Sequence, residues 1–165
     1  MALTDAAIKG ALAGLAGAAV MTAGEKVEQR FTRRPSSYVP ERTLANLVGL
    51  PRPDEDRFAR NMAMHYTAGA ILGALRGLMA AANLRGPLAS VMHAPVRLTT
   101  DQILENVSGV GAPPWTWPRD ELVIDVVHKG IYSLATGAIA DATVSALPTS
   151  SAARARRARR LKGFS

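Results

Sequence analysis

All three histidines of this sequence, His65, His93 and His128, lie in otherwise apolar segments. Arg76 and Arg97 lie in such segments too, and His93 precedes Arg97 by four residues. Residues three or four apart share one face of a helix, as Asp125 and His128 also would. Ionisable groups are costly when they face lipid, so they point into a helix bundle or a wet cavity. The sequence predicts one buried polar cluster made of His65, Arg76, His93, Arg97, Asp125 and His128.

Three kinds of chemistry fit a cluster of this composition. The first is a structural hydrogen-bond network that fixes the register of the helices, and this interpretation is favoured. The second is a proton-responsive or substrate-lining site, because histidine titrates near neutral pH. The third is zinc binding, although no two of the histidines share a helix or a tight ligand spacing. No segment resembles a nucleophile with its base, a phosphate-binding loop or a carboxylate pair. We therefore predict no catalytic, cofactor-binding or metal-binding residues and rank an enzyme last.

Glycines recur at helical spacing in the long apolar segments, and residues four apart lie on one face of a helix. Each glycine inside a helix costs about 1 kcal/mol relative to alanine, unless close packing compensates for it. In lipid, small residues promote helix association because they let two backbones approach closely. Helical bundles in water use large aliphatic side chains instead. The predicted helix-packing positions are Gly10, Gly14, Gly17, Gly69, Gly73, Gly77, Gly130 and Gly137.

The elements that position these residues are predicted to be helices, because no segment shows the alternation of a strand. Residues 6–24 form an apolar helix of about 28 Å, close to the thickness of a hydrocarbon core. A short amphipathic helix near 40–50 precedes a second long helix from about 53 to 83, and the last helix covers 121–147. Pro95 is expected to kink or end a short third helix. The predicted fold is all-α, a four-helix membrane-embedded bundle in one domain, 1–148, followed by a basic disordered tail, 149–165.

Positive charge is concentrated at the C-terminus. The net charge is +7, and six bases lie in the last twelve residues, so the rest of the chain is nearly neutral. We therefore expect membrane lipid, and not nucleic acid, as the partner. Exposed glycine faces could also support a homo-oligomer. The positive-inside rule places the C-terminus in the cytoplasm. The loop predicted at 99–120, which carries Asp101, Glu105 and Asp120, would then lie on the outer side, with Trp115 and Trp117 at the outer interface.

A soluble protein is the alternative. The mean hydropathy of +0.06 is ordinary for one, and the function would then be an all-α module that binds a lipid or another apolar ligand. The first apolar segment also invites comparison with a secretory signal peptide, but Asp5 offsets Lys9 near its start. The absence of cysteine excludes disulfides and thiolate catalysis.

Four segments of the sequence form a recognisable series. They read HYTAGAILGALRGL, GPLASVMHAPVRLTT, GAPPWTWP and HKGIYSLATGAIADATV. Together they resemble the YagU-like family of small inner-membrane proteins of unknown function, over residues 60–145. The shared plan is a histidine-led glycine-rich helix, a histidine soon followed by proline, a Pro-Pro segment with an aromatic residue, and a histidine-led last helix. The resemblance implies a multi-helix membrane protein and supplies no activity.

Overall fold

The computed structural model describes residues 2–51 and 57–147. Its helices are α1 (Ala2–Thr32), α2 (Val39–Val48), α3 (Arg57–Ala81), α4 (Gly86–Val107) and α5 (Arg119–Thr143), with a 3-10 turn at Pro114–Thr116. No strand occurs in the described ranges, which confirms the all-α prediction. The amphipathic helix predicted near 40–50 is α2. The predicted start of the second long helix, near 53, and the basic tail lie outside the described residues.

Helices α1 and α3 run antiparallel with their backbones in direct contact at glycines. A Cβ atom built on Gly10 would lie 2.7 Å from the Gly77 Cα, and one built on Gly14 would lie 2.8 Å from the Gly73 Cα. Both distances are well below any normal carbon–carbon contact, so no side chain fits at these positions. The interface therefore consists of backbone and alanine, and Ala6, Ala13 and Ala80 belong to one buried cluster.

Helix α5 packs on α1 and α4, again through small residues. Gly17 of α1 faces Thr136 and the Tyr132 carbonyl of α5, and Gly137 of α5 faces Ser90 of α4. The contact between α1 and α3 is also close here, because a Cβ atom on Gly69 of α3 would meet the Ala18 Cβ of α1 at 3.0 Å. Gly130 differs from these positions, because a Cβ atom there would meet no atom of the described chain within 4 Å. Gly130 therefore lies outside the helix contacts that the other seven glycines make.

The prediction of a short third helix is wrong. Helix α4 is 22 residues long and continues through Pro95. Pro95 lies on the exposed side of α4, where its missing N–H leaves one carbonyl to solvent or lipid. On the opposite side, buried His93 and Arg97 make contacts just before and just after the proline. These contacts hold both halves of the helix in place, and they bring Asp101 onto the same buried face.

Two helix ends also differ from the prediction. Helix α1 continues two turns past residue 24 to Thr32, supported by a 2.9 Å bond from the Gln29 amide to Glu25. Helix α5 ends at Thr143 and not at 147. The Arg85 guanidinium donates to the carbonyls of Asp141 and Val144, each at 2.6 Å. The Leu147 N–H donates to the Ala81 carbonyl at 2.8 Å, so these bonds replace the last helical ones.

Alternating helix directions give the bundle two distinct ends. The terminal end holds the start of α1, the α3–α4 turn and the end of α5. The loop end holds the end of α1, all of α2, and the α4–α5 connection. Within the described residues, two helices, α1 and α5, are long and apolar enough to cross a membrane by length and composition. A buried core helix of a soluble protein, or a signal sequence, meets the same criterion.

Candidate functional site

Helix α4 carries four polar side chains at intervals of four residues: His93, Arg97, Asp101 and Glu105. This spacing places all four on one face of the helix. That face packs against α5 and lies inside the bundle, where His93 and Arg97 are 0% and 2% exposed. The series therefore runs from the middle of the bundle to its loop end.

Opposite charges meet around Asp101. The Arg97 Nε donates to the Asp101 Oδ2 at 3.0 Å, and the Lys129 Nζ lies 3.5 Å from the same oxygen. Lys129 also donates to Asp125 one turn earlier on α5. Buried charges are tolerated when they are paired. Here two cations face two carboxylates, so the network is neutral as a whole.

Tyr132 joins this network to the centre of the bundle. The Arg97 Cζ lies 4.7 Å from the centre of its ring, and the His93 ring centre lies 5.9 Å away. The Tyr132 hydroxyl donates to the Gly69 carbonyl at 2.7 Å. The His93 Nε2 lies 3.0 Å from the Leu72 carbonyl and must donate, because a carbonyl oxygen can only accept. These bonds fasten α3, α4 and α5 to one another.

A second network lies at the terminal end. The Arg76 guanidinium is fully buried and donates to the Asp141 carboxylate at 2.9 Å. The same carboxylate oxygen accepts the Gly86 N–H at 2.8 Å. Arg85 closes the network through the α5 carbonyls described above. This arrangement ties the end of α5 to the turn between α3 and α4.

The six residues predicted as one cluster are thus distributed over three places, although His65 and Arg97 both line one small cavity. His93 and Arg97 lie together against Tyr132, and Arg76 belongs to the terminal network with Asp141. Asp125 is bonded to Lys129 and not to the neighbouring His128. His65 and His128 both line an open cleft at the loop end.

This cleft has a volume of about 450 Å³ and lies at the loop end of the bundle. Its walls are the end of α1, the start of α3, the end of α4, the start of α5, and the loops near 37 and 112. Its size is within the range of small-molecule sites. The Trp117 indole lies on its wall, held by a 2.8 Å bond to the Ala112 carbonyl. Its ionisable lining residues are Glu25, Arg34, His65, Glu105, Glu121, Asp125, His128 and Lys129.

Glu105 lies on the cleft wall at the end of the α4 series. Burial raises the pKa of its carboxyl to about 7, and the nearby carboxylates of Asp101 and Asp125 act in the same direction. Lys129 and Arg97 lower the pKa by less than these effects raise it. The carboxyl therefore changes its charge near neutral pH.

Glu105→Gln is expected to remove one contribution to the pH dependence of stability, the loss of stability that this carboxyl causes as pH rises. The pKa of about 7 in the folded chain exceeds the ordinary 4.5, so the folded state binds the proton more tightly than the unfolded state does. Stability then falls as pH rises between these two values. Glutamine resembles the protonated carboxyl at every pH, so the variant keeps its stability. Thermal unfolding at about pH 5 and about pH 8 measures this difference.

Glu121→Gln is the matched control, because Glu121 lies exposed on the same cleft. It should leave the wild-type pH dependence in place. A Glu105→Gln profile as steep as that of the wild type would contradict the assignment.

Sequence reasoning missed the partners of the predicted residues: Asp101, Glu105, Lys129, Tyr132 and Asp141. A signal for two of them exists, because Asp101 and Glu105 continue the four-residue spacing from His93 and Arg97. The third helix was expected to kink or end at Pro95, so this spacing was not followed past the proline. Asp141 had no such signal, since it is 65 residues from Arg76.

The described residues contain no group of three histidine, cysteine, aspartate or glutamate side chains that could hold a metal ion. Comparison with models of known protein families, with curated proteins and with solved structures finds no match to this chain. The resemblance to the YagU-like family therefore stays a prediction.

Proposed function

We propose that the protein is a small integral membrane protein whose four long helices cross the bilayer. In this proposal its polar interior communicates with the aqueous phase on one side through the cleft at the loop end. The resemblance to the YagU-like family points to the same class of protein and to the cytoplasmic (inner) membrane.

The observation that carries the proposal is an inverted distribution of polarity. The largest fully buried side chains are Arg76, Arg97, Tyr132 and His93. Large apolar side chains lie outside on every long helix, as Leu12 (61% exposed), Ile71 (65%), Leu88 (72%) and Leu134 (51%) illustrate. In water this arrangement would expose an extended apolar surface, which soluble monomers rarely do. In lipid it is the expected arrangement, because ionisable groups there face the bundle interior.

The buried polar side chains also explain why the average hydropathy of α3 and α4 does not mark them as membrane-crossing helices. Arg76 lowers the average hydropathy of α3, and His93 and Arg97 lower that of α4, yet all three lie inside. The surface that lipid would meet is therefore more apolar than the average of each helix. We assign the crossing segments to 6–24, 61–78, 86–103 and 126–143, each about 27 Å long.

Four crossings place both chain ends on one side of the membrane and the cleft on the other. The basic tail then favours a cytoplasmic C-terminus by the positive-inside rule, and the cleft faces the opposite side. The acids near the end of α4 contribute little to this orientation, because they belong to the helix and not to a loop. Asp101 lies within α4, paired with Arg97, and Glu105 lies on the same helix. The orientation rests on the tail.

A spin label at Ile71→Cys or Leu88→Cys tests the proposal, because the chain has no cysteine of its own. In protein reconstituted into bilayers, both labels should be more accessible to oxygen, which concentrates in lipid, than to a water-soluble nickel complex. Ser37→Cys is the control, because Ser37 is exposed on the cleft at the loop end. The label at position 37 should be more accessible to the nickel complex than to oxygen.

Equal nickel accessibility at all three positions would contradict the membrane proposal. So would a wild-type protein that stays in the supernatant after ultracentrifugation without detergent. Either result would favour the soluble all-α module that binds a lipid or another apolar ligand.

A further inference from the structure

A small cavity with several polar residues on its wall lies beside the cleft, between α2, α3, α4 and α5. Its volume of about 30 Å³ is enough for about two water molecules. The cavity and the cleft share four wall residues, Pro40, His65, Glu105 and Lys129. The cavity is therefore a continuation of the cleft toward the centre of the bundle.

Two buried side chains on the cavity wall have polar atoms without a protein partner. The Thr43 Oγ1 belongs to a residue that is 0% exposed, and the Arg97 Nη1 to one that is 2% exposed. Both residues line the cavity. Leaving a buried donor unsatisfied costs about 1–3 kcal/mol, more for a charged group. These two atoms therefore indicate that the cavity holds a molecule with which they form hydrogen bonds.

The charges around the cavity favour a neutral occupant. Arg97 and Lys129 supply two positive charges, and Asp101 and Asp125 supply two negative ones within bonding distance. Glu105 adds a carboxyl that holds its proton up to about neutral pH, and His65 completes the ionisable wall. An anion would be attracted by Arg97 but repelled by Asp101. A cation would be attracted by Asp101 but repelled by Arg97.

We propose that this cavity is an internal water site, in which two ordered water molecules bond to the Thr43 hydroxyl and the Arg97 guanidinium and extend the aqueous cleft to the bundle interior. The site gives Arg97 its contact with bulk water, because Arg97 is absent from the wall of the cleft itself. The inference concerns the interior of the bundle and holds whether lipid or water covers its outside.

A high-resolution structure of the full chain, from crystals soaked in bromide, tests the nature of the occupant. Two water peaks within hydrogen-bonding distance of the Thr43 Oγ1 and the Arg97 Nη1 are expected. An empty cavity would overturn the proposal. An anomalous bromide peak in the cavity would overturn it too, because the site would then bind anions.

Exchange of the Arg97 guanidinium protons with water, followed by NMR, tests access through the cavity. Ala68→Val should slow this exchange about tenfold or more, because Ala68 lines the cavity and the added methyl groups fill it. Ala70→Val is the matched control, since Ala70 lies on the same helix away from the cavity. Unchanged exchange in Ala68→Val, or equal slowing in both variants, would overturn the proposal. Thr43→Val is a second test in a variant that is expected to fold, because valine has nearly the same shape as threonine. The water peak beside residue 43 should be lost, because valine has no hydroxyl group.

Discussion

Gly73→Leu should separate α1 from α3 and cost about 3 kcal/mol or more, the upper end of what overpacking costs. A Cβ atom at Gly73 would lie 2.5 Å from the Gly14 Cα and 2.7 Å from the Gly14 nitrogen. These obstacles are backbone atoms of a helix, which cannot rotate aside as a flexible side chain would. Equilibrium unfolding in detergent, followed by circular dichroism, measures the loss.

Gly130→Leu is the control for this experiment. Gly130 is also inside a long helix, but a Cβ atom there would meet nothing within 4 Å. The change should leave stability intact or raise it by up to about 1 kcal/mol, because leucine is the better helix former. Equal losses at both positions, or no loss at Gly73, would show that the glycine contacts do not hold α1 and α3 together.

Asp141→Ala should cost about 3–5 kcal/mol, the range for breaking a buried ion pair from one side. Arg76 is 0% exposed, so its charge would remain buried without a counter-charge. The Gly86 N–H would lose its acceptor as well. The midpoint of chemical unfolding, compared with that of the wild type, measures the effect.

The exposed ion pair on α1 provides the matched control. Lys9 and Asp5 lie 2.8 Å apart, and the Asp5 side chain is 57% exposed. Asp5→Ala should therefore cost at most about 0.5 kcal/mol. The double variant Arg76→Met/Asp141→Leu should recover much of the loss, because it removes the uncompensated charge. A loss at Asp141 as small as that at Asp5 would refute the structural role of the pair.

The fold could be predicted from local patterns where the cause is local. The spacing of Gly69, Gly73 and Gly77 marks one smooth helix face, and α3 presents all three glycines to α1. The local sequence could not show that α4 continues past Pro95. A proline ends a helix unless tertiary contacts hold both sides, and those contacts come from α3 and α5.

The candidate site was predictable in part for the same reason. Histidines and arginines in apolar segments indicate a polar interior, and His93, Arg97 and Arg76 do lie inside. Which charges pair depends on how the helices are aligned along their length. That alignment decides that Arg76 meets Asp141 and that Lys129 meets Asp101. It follows from the packing of the whole bundle and not from any single segment.

The glycine contact between α1 and α3 has a consequence for the entropy of the fold. Glycine has no side chain to immobilise, so this interface forms without loss of rotamer freedom. The contact between α4 and α5 must instead fix the long chains of Arg97 and Lys129, each of which carries about 2 kcal/mol of rotamer entropy. That penalty grows with temperature. Glycine loses more backbone entropy than other residues, but it loses it when each helix forms and not when the two helices pack. Heating therefore weakens the contact between α4 and α5, which borders the cleft, more than it weakens the contact between α1 and α3.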